Sequence, residues 1–197
     1  RPVIRLASPL AFRPDDVLGA GAPAIMDSLM VRLEGLYLTS VISPLIARAA
    51  LNQLHIQDCS LDPGGVVALI GIRAPIRQSI QLTNNYGFVA GSSEELAFDQ
   101  TPEIILENSI SGPLAIDDSY SLNITNSIVD AGGTLATAAP GLAIGATTDV
   151  EANWGPALTF AGLTCFGRTR VTSASGKGGI WVHALQVLDN QRGCIKH

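Results

Sequence analysis

Leu122-Asn123-Ile124-Thr125-Asn126-Ser127-Ile128-Val129 alternates apolar and polar residues, breaks at an asparagine, and closes on a second apolar pair. Alternation of period two marks a strand with one face buried. The same sentence is written elsewhere in the chain. Val31–Leu38 reads V-R-L-E-G-L-Y-L and Leu54–Leu61 reads L-H-I-Q-D-C-S-L. Ile104–Ser111 reads I-I-L-E-N-S-I-S, and Leu158–Cys165 reads L-T-F-A-G-L-T-C. A looser copy, I-W-V-H-A-L-Q-V, occupies Ile180–Val187.

The third residue of each copy serves as a marker: Leu33, Ile56, Leu106, Ile124, Phe160 and Val182. The intervals are 23, 50, 18, 36 and 22 residues. Taking the 50 and the 36 as two periods each, with weak copies around Leu82 and Ile144, gives eight rungs about 21 residues apart. Periods of this size belong to solenoids. Leucine-rich repeats share the period but need L-x-x-L-x-L-x-x-N, whereas this chain reads Φ-x-Φ-x-[G/N/D]-x-x-Φ. Its connections are turn-forming, as in Asp62-Pro63-Gly64-Gly65, Ser111-Gly112-Pro113 and Asp130-Ala131-Gly132-Gly133. The expected fold is all-β: one right-handed parallel β-helix of about eight coils.

The break residues have a physical reason. A chain that turns between two strands within about one residue needs a left-handed backbone conformation, which Gly adopts freely and Asn or Asp tolerate best. Gly35, Asp58, Asn84, Asn108, Asn126 and Gly162 are therefore expected as a stacked turn ladder rather than as ligands. Leu33, Ile56, Cys59, Leu61, Leu106, Ile124, Phe160, Leu163 and Cys165 are expected to point inward as the core. Residues 1–30, with Pro2, Pro9, Pro14 and Pro23, read as an irregular N-terminal cap; Val3–Leu6 is a candidate opening strand. Residues 31–188 read as coils and 189–197 as an end segment. Val89–Thr101 is polar and expected to protrude, and Asp149–Pro156 is a second long connection containing Trp154.

Composition agrees and narrows function. Hydrophobic residues make up 47% of 197, charged residues 15% and aromatics 5%, with 20 Gly and 11 Pro. An average globular chain carries about 25% charged residues. The net charge is −5, and the 12 Lys and Arg are scattered, so nothing tracks a nucleic-acid backbone. No apolar stretch reaches about 18 residues, the length of a membrane-spanning helix. The sequence opens at Arg1 with no signal-peptide pattern, which leaves the cytoplasm and an extracellular particle both open.

Chemistry is sparse. Cys59, Cys165 and Cys194 form no C-x-x-C pair, and His55, His183 and His197 form no metal-binding spacing, so neither a disulfide framework nor a metal is expected. His55 should point outward, with His183 in the matching place some coils later. No nucleophile elbow occurs, and Gly176-Lys177-Gly178-Gly179 lacks the frame of a phosphate loop and reads as a turn. No cofactor is expected. Glycoside hydrolysis would need two carboxylates on one face about 5–10 Å apart. Glu34, Glu107, Asp117, Asp118 and Asp130 are candidate outward acids. Asp117-Asp118 is the one adjacent pair of aspartates besides Asp15-Asp16 and carries the alternative, carbohydrate-active reading. Arg73, Arg77, Arg168 and Arg170 match no acidic cluster, and no row of aromatics offers sugar stacking.

Several segments, in order, carry a resemblance. They are R-P-V-I-R-L (Arg1–Leu6), D-C-S-L-D-P-G-G (Asp58–Gly65), N-S-I-S-G-P-L (Asn108–Leu114), N-S-I-V-D-A (Asn126–Ala131), L-T-C-F-G-R-T-R-V (Leu163–Val171) and Q-R-G-C-I-K (Gln191–Lys196). Together they resemble a family of largely uncharacterised bacterial β-helix proteins, often encoded beside contractile, phage-tail-like injection systems. Beyond its Q-x-G-C-x-R segment that family continues with an aromatic, where this sequence reads Lys196-His197. The resemblance implies a β-helix and, by association, a structural or accessory role; it implies no catalytic residues. The expectation is a non-enzymatic structural or binding module with protein partners or self-association, part of a larger assembly such as a phage-tail-like particle. A polysaccharide lyase or glycoside hydrolase is the alternative. A cleft lined by acids, a base and aromatics separates the second from the first.

Overall fold

The computed structural model describes residues 1–13, 28–62, 77–132, 138–189 and, as backbone, 195–196. Asp15, Asp16, Pro63 to Gly65, Arg73, Gly133, Cys194 and His197 lie outside the described residues.

The chain is nearly all β, its strands joined in one parallel, solenoid-like sheet. Among the described residues the sole α-helix is α1 (Ser93–Ala97). Three parallel ladders run through the molecule, here called walls. The first holds β3 (Met30–Glu34), β6 (Gln53–Gln57) and β9 (Glu103–Glu107). It continues through the first half of β12 (Ser121–Asp130), the first half of β14 (Gly155–Phe166), the second half of β15 (Arg168–Lys177), and β18 (Ile195–Lys196). The second holds β1 (Val3–Leu6), β4 (Tyr37–Ser40), β7 (Ser60–Leu61), β10 (Ile110–Ser111), the second halves of β12 and β14, and β16 (Ile180–Trp181). The third holds β2 (Leu10–Phe12), β5 (Ile46–Ala49), β8 (Ile80–Leu82), β11 (Leu114–Ile116), β13 (Leu142–Gly145), the first half of β15, and β17 (Leu185–Val187). The chain visits the walls in that order, again and again.

The register corrects the repeat arithmetic. Leu33, Ile56, Leu106, Ile124 and Phe160 do stand in one column of the first wall, but Ile56 pairs directly with Leu106 and Ile124 directly with Phe160. The 50- and 36-residue intervals are each one step of the ladder, because their extra residues lie in connections. Leu82 and Ile144 belong to the third wall. The partner of Phe160 on the following level is Gly176, so Val182 is not a marker. Nor is His183 level with His55: it follows β16, whereas His55 lies within β6. Strands β1 and β2 precede residue 31 and pair with β4 and β5, so the ladders begin inside the stretch that the repeat assigns to a cap.

Inside, apolar side chains stack level on level. Leu54, Ile104, Leu122 and Leu158 form one buried column of the first wall, and Ile56, Leu106, Ile124 and Phe160 the next. Leu61, Val129 and Cys165 line the second wall, and Ile46, Ile80, Leu114 and Ile144 the third. Each fully buried Leu or Ile contributes roughly 1.5–3 kcal/mol of transfer free energy. Leu33 departs from expectation: it is only half-buried, because β3 pairs on one side alone, with β6. The connection over Val89–Thr101 also departs. It contains α1, capped by Ser92 accepting from the Glu95 amide, and it packs the buried Phe98 edge-on against Tyr86 at 4.3 Å.

Candidate functional site

The corner between the first and second walls is built from single residues. Gly35, Asp58, Asn108, Asn126 and Gly162 all have positive φ, between 48° and 72°. Each stands at the same step of the register, and Gly178 (φ 66°) continues the column below them. Its signal was present in the sequence, a glycine directly after the alternating Ser173–Lys177. A Cβ on Gly162 would lie 2.7 Å from the Asn126 Oδ1 atom, so the asparagine amide rests on the glycine beneath it. Asn84 does not belong to this column. It sits after β8, where the positive-φ residues are Tyr86 and Gly87, and its Oδ1 accepts from the Ser119 amide at 3.2 Å. The short polar side chain that suits a left-handed turn suits a main-chain cap equally well.

Directly after the turn column comes an interior polar step that the sequence reading passed over. Cys59 and Leu163 are buried there as expected, and between them stand Ser109 and Ser127, also buried. The Cys59 amide donates to the Ser109 hydroxyl at 2.9 Å, and the Ser109 amide donates to the Ser127 hydroxyl at 3.0 Å. Both hydroxyls in turn donate to main-chain carbonyls, of Glu107 and Thr125, at 2.7 Å. Their position one residue after Asn108 and Asn126 was the available signal, since Cys59 holds the same place after Asp58. Cys165 is buried, and burial pushes its thiol up to about 12 despite a hydrogen bond to Thr169 that pulls the other way.

The outer surface of the first wall changes along its length. Its first levels carry Arg32, Glu34, Gln53, His55, Gln57, Glu103 and Glu107. These side chains bond to one another across the strands: Arg32 to Gln57 at 2.5 Å, Gln53 to Glu103 at 2.8 Å and His55 to Glu107 at 3.0 Å. The later levels present Ser121, Asn123 and Thr125, then Ala157, Thr159 and Ala161, then Ser173, Ser175 and Lys177. One of these nine is charged. Round the corner, on the second wall, Ile110, Ile128, Thr164 and Ile180 form an outward column. The three isoleucines are 50%, 36% and 61% exposed.

The corner between the third and first walls is different again. There Asn84, the Asp117-Asp118 pair and the connection 146–154 meet. Asp117 Oδ1 accepts from the Thr147 amide and hydroxyl, both at 2.8 Å, and Oδ2 accepts from the Asn84 amide at 3.1 Å. One carboxylate thus ties three successive levels. Asp118 is exposed and makes no hydrogen bond or ion pair among the described residues. Asn84, Asp117, Asp118, Ala146, Ala152, Asn153 and Trp154 line a hollow of ≈ 120 Å³. On the other side of Trp154 lies an open groove of ≈ 860 Å³, lined by Glu151, Arg168, Arg170, Gln186 and the apolar Leu185, Val187 and Leu188. Arg170 stacks over the Trp154 ring, 4.3 Å from its centre, and donates to the carbonyls of Val150 and Glu151. Arg168 pairs with Asp149. The two arginines therefore hold the connection down.

The chain matches no protein-family model, no curated protein and no solved structure. Its function has to be argued from these surfaces. The structure joins Asp117 and Asp118 to Asn84 and Trp154, and keeps all four away from Glu34, Glu107 and His55 on the first wall. Both oxygens of Asp117 are engaged by the turns they tie. Three of its roughly four acceptor sites are thus spent on the turns, which leaves little of this carboxylate for a reacting group. Among the described residues no group of three or more His, Cys, Asp or Glu could hold a metal ion. Among the same residues no helix is long and apolar enough to cross a membrane.

Proposed function

We propose that this chain is a non-enzymatic structural and binding module, a three-sided right-handed parallel β-helix with about seven turns over the described residues. It acts by lateral contact within a larger assembly, and the partner is a second copy of the chain. The observation that carries this reading is the neutral zone formed by the later levels of the first wall together with Ile110, Ile128 and Ile180. The whole molecule bears a net charge of −5, so copies repel except where charge is absent. A surface with one charge, Lys177, among its nine outward residues needs little complement other than itself, which suits contact between copies. With strands about 3.3 Å per residue and levels about 4.8 Å apart, the two walls of this zone offer on the order of 400 Å². That is about half of the 800 Å² a side that a stable pair buries. Such a contact is weak alone and effective when many copies repeat it. We extend the reading to a particle of the phage-tail-like kind on the sequence resemblance alone.

Sedimentation velocity across a concentration series tests it. The wild-type chain should associate as concentration rises, whereas Ile128→Asp and Ile180→Asp should stay monomeric with unchanged melting temperature. A wild-type chain that is monomeric at high micromolar concentration, or variants that associate equally well, would sink the proposal.

A further inference from the structure

The corner hollow beside Trp154 is a different kind of surface from the neutral zone. Three connections distant in sequence converge on it, at residue 84, residues 117–118 and residues 146–154. An indole forms one side. Ala146 and Ala152 add small apolar surface, and the other four lining groups are hydrogen-bonding and carry no positive charge: Asn84, Asp117, Asp118 and Asn153. We propose that this hollow is a binding subsite for a neutral saccharide, with Trp154 as its stacking platform and Asp118 and Asn153 as the groups that read its hydroxyls.

The chemistry follows from what each group can offer. A pyranose ring has an apolar C–H face and a rim of hydroxyls, so it needs one flat apolar surface and several acceptors and donors around it. Indole supplies a large rigid surface at small entropic cost. The Arg170 guanidinium occupies one face of the ring and lines the larger groove but not the hollow. It holds the indole in place without entering the hollow, so the part of the ring that borders the hollow stays free for the ligand. Asp118 is acceptor-only, and Asn153 offers both an acceptor and two donors. Neither side chain bonds to another described residue, so ligand hydroxyls do not compete with an existing bond. Asn84 keeps its NH₂ group to donate, since its Oδ1 is taken by Ser119.

Charge sets the class. Two carboxylates in the lining and no cation among them repel a uronic acid or a sulfated sugar, and accept a neutral one. Trp154 also borders the larger groove, where Glu151 and Gln186 continue the polar lining; its two cations, Arg168 and Arg170, are already engaged by Asp149 and by the Val150 and Glu151 carbonyls. A chain of several sugar rings, bound across Trp154, fits this run better than a single compact ligand. Asp117 has a positioning part: its ties to Thr147 and Asn84 set the two sides of the hollow at their present separation.

Isothermal titration and saturation-transfer NMR with gluco-, manno- and galacto-hexaoses, and with oligogalacturonate as the acidic counterpart, decide the matter. At least one neutral hexaose should bind, and oligogalacturonate should bind at least about tenfold more weakly. Trp154→Ala should abolish measurable binding, and Asp118→Asn and Asn153→Ala should each weaken it about tenfold or less. Should Trp154→Ala fail to fold, the two exposed substitutions decide alone. Silence from every neutral hexaose, tighter binding of the acidic one, or wild-type affinity in both Asp118→Asn and Asn153→Ala overturns the proposal.

Discussion

Two halves of one wall share an interior and differ outside. The earlier levels of the first wall present Arg32, His55, Gln57 and Glu107, which bond across strands as Arg32 to Gln57 and His55 to Glu107, with Glu34 paired to Arg32 along its own strand. The later levels present Ser, Thr, Asn and Ala with the single Lys177, and these side chains make no hydrogen bonds with one another among the described residues. Behind both runs the same column, Ile56, Leu106, Ile124 and Phe160. The stack is thus held by what lies inside it, and the outer polar bonds are an addition that half of the wall does without. Exposed ion pairs contribute about 0–1 kcal/mol each, against roughly 1.5–3 kcal/mol for each buried aliphatic side chain.

The largest effect should come from the shared column, and it should ignore the difference outside. Leu106→Asp lies behind the charged half and Ile124→Asp behind the neutral one. Each places a carboxylate among apolar side chains with no partner, a cost of several kcal/mol. Both variants should lose the cooperative melting transition by circular dichroism. If one of them keeps wild-type melting, the interiors of the two halves are not equivalent.

Much of this was legible because the rules act over a few residues. Alternation revealed the strands, and Gly35, Asp58, Asn108, Asn126 and Gly162 betrayed the turn by their tolerance of left-handed backbone. The intervals of 50 and 36 were misjudged because arithmetic on a period cannot tell a missing rung from a long connection. Only pairing shows that Ile56 meets Leu106. Ser109 and Ser127 escaped because serine is ordinarily a surface residue, and their burial depends on hydroxyls that accept from the amide of the preceding level and donate within their own. Of the hollow at Trp154, the Asp117-Asp118 pair and the connection that carries the indole were each visible, but not that they meet. Its residues come from three connections that the register of the third wall brings together.

A middling effect should appear at alkaline pH and report on the interior behind the neutral half. The Cys165 thiol, ordinarily titrating near 9.0, is pushed up to about 12 in the folded chain by burial. Tyr120 is raised in the same direction, again chiefly by burial. In the unfolded chain the thiol loses its proton above about pH 9, while in the folded chain it keeps it. The unfolded state then binds fewer protons, so stability falls as pH rises from about 9 towards 12, by up to a few kcal/mol. Urea titrations between pH 8 and 10.5 should show this decline, and Cys165→Ala should reduce it. Rapid labelling of Cys165 by a thiol reagent in the native state at pH 8 would contradict its placement.

The smallest effects belong to the outer surface, where the two halves should part company. His55→Ala removes the bond to Glu107 and should cost less than about 1 kcal/mol. Thr159→Glu in the neutral half should shift melting no more than that, yet should suppress association in the ultracentrifuge. If His55→Ala suppresses association instead, the docking surface lies on the charged half.

The contrast between the corners has its own consequence. From the first wall to the second the chain always turns on one residue, from Gly35 to Gly178. From the third wall to the first it spends very different lengths, as between β8 and β9, where α1 and its aromatic cluster are accommodated, and between β13 and β14, where Trp154 lies. Lengthening such a connection costs little, about 0.6 kcal/mol for each doubling. One edge of the solenoid thus keeps strict count, and the opposite connections are free to vary in length. Foreign peptides spliced between Ala90 and Gly91, clear of the buried Phe98, should therefore be carried on a rigid post, and relatives that share the strands should differ most in what they display along that edge.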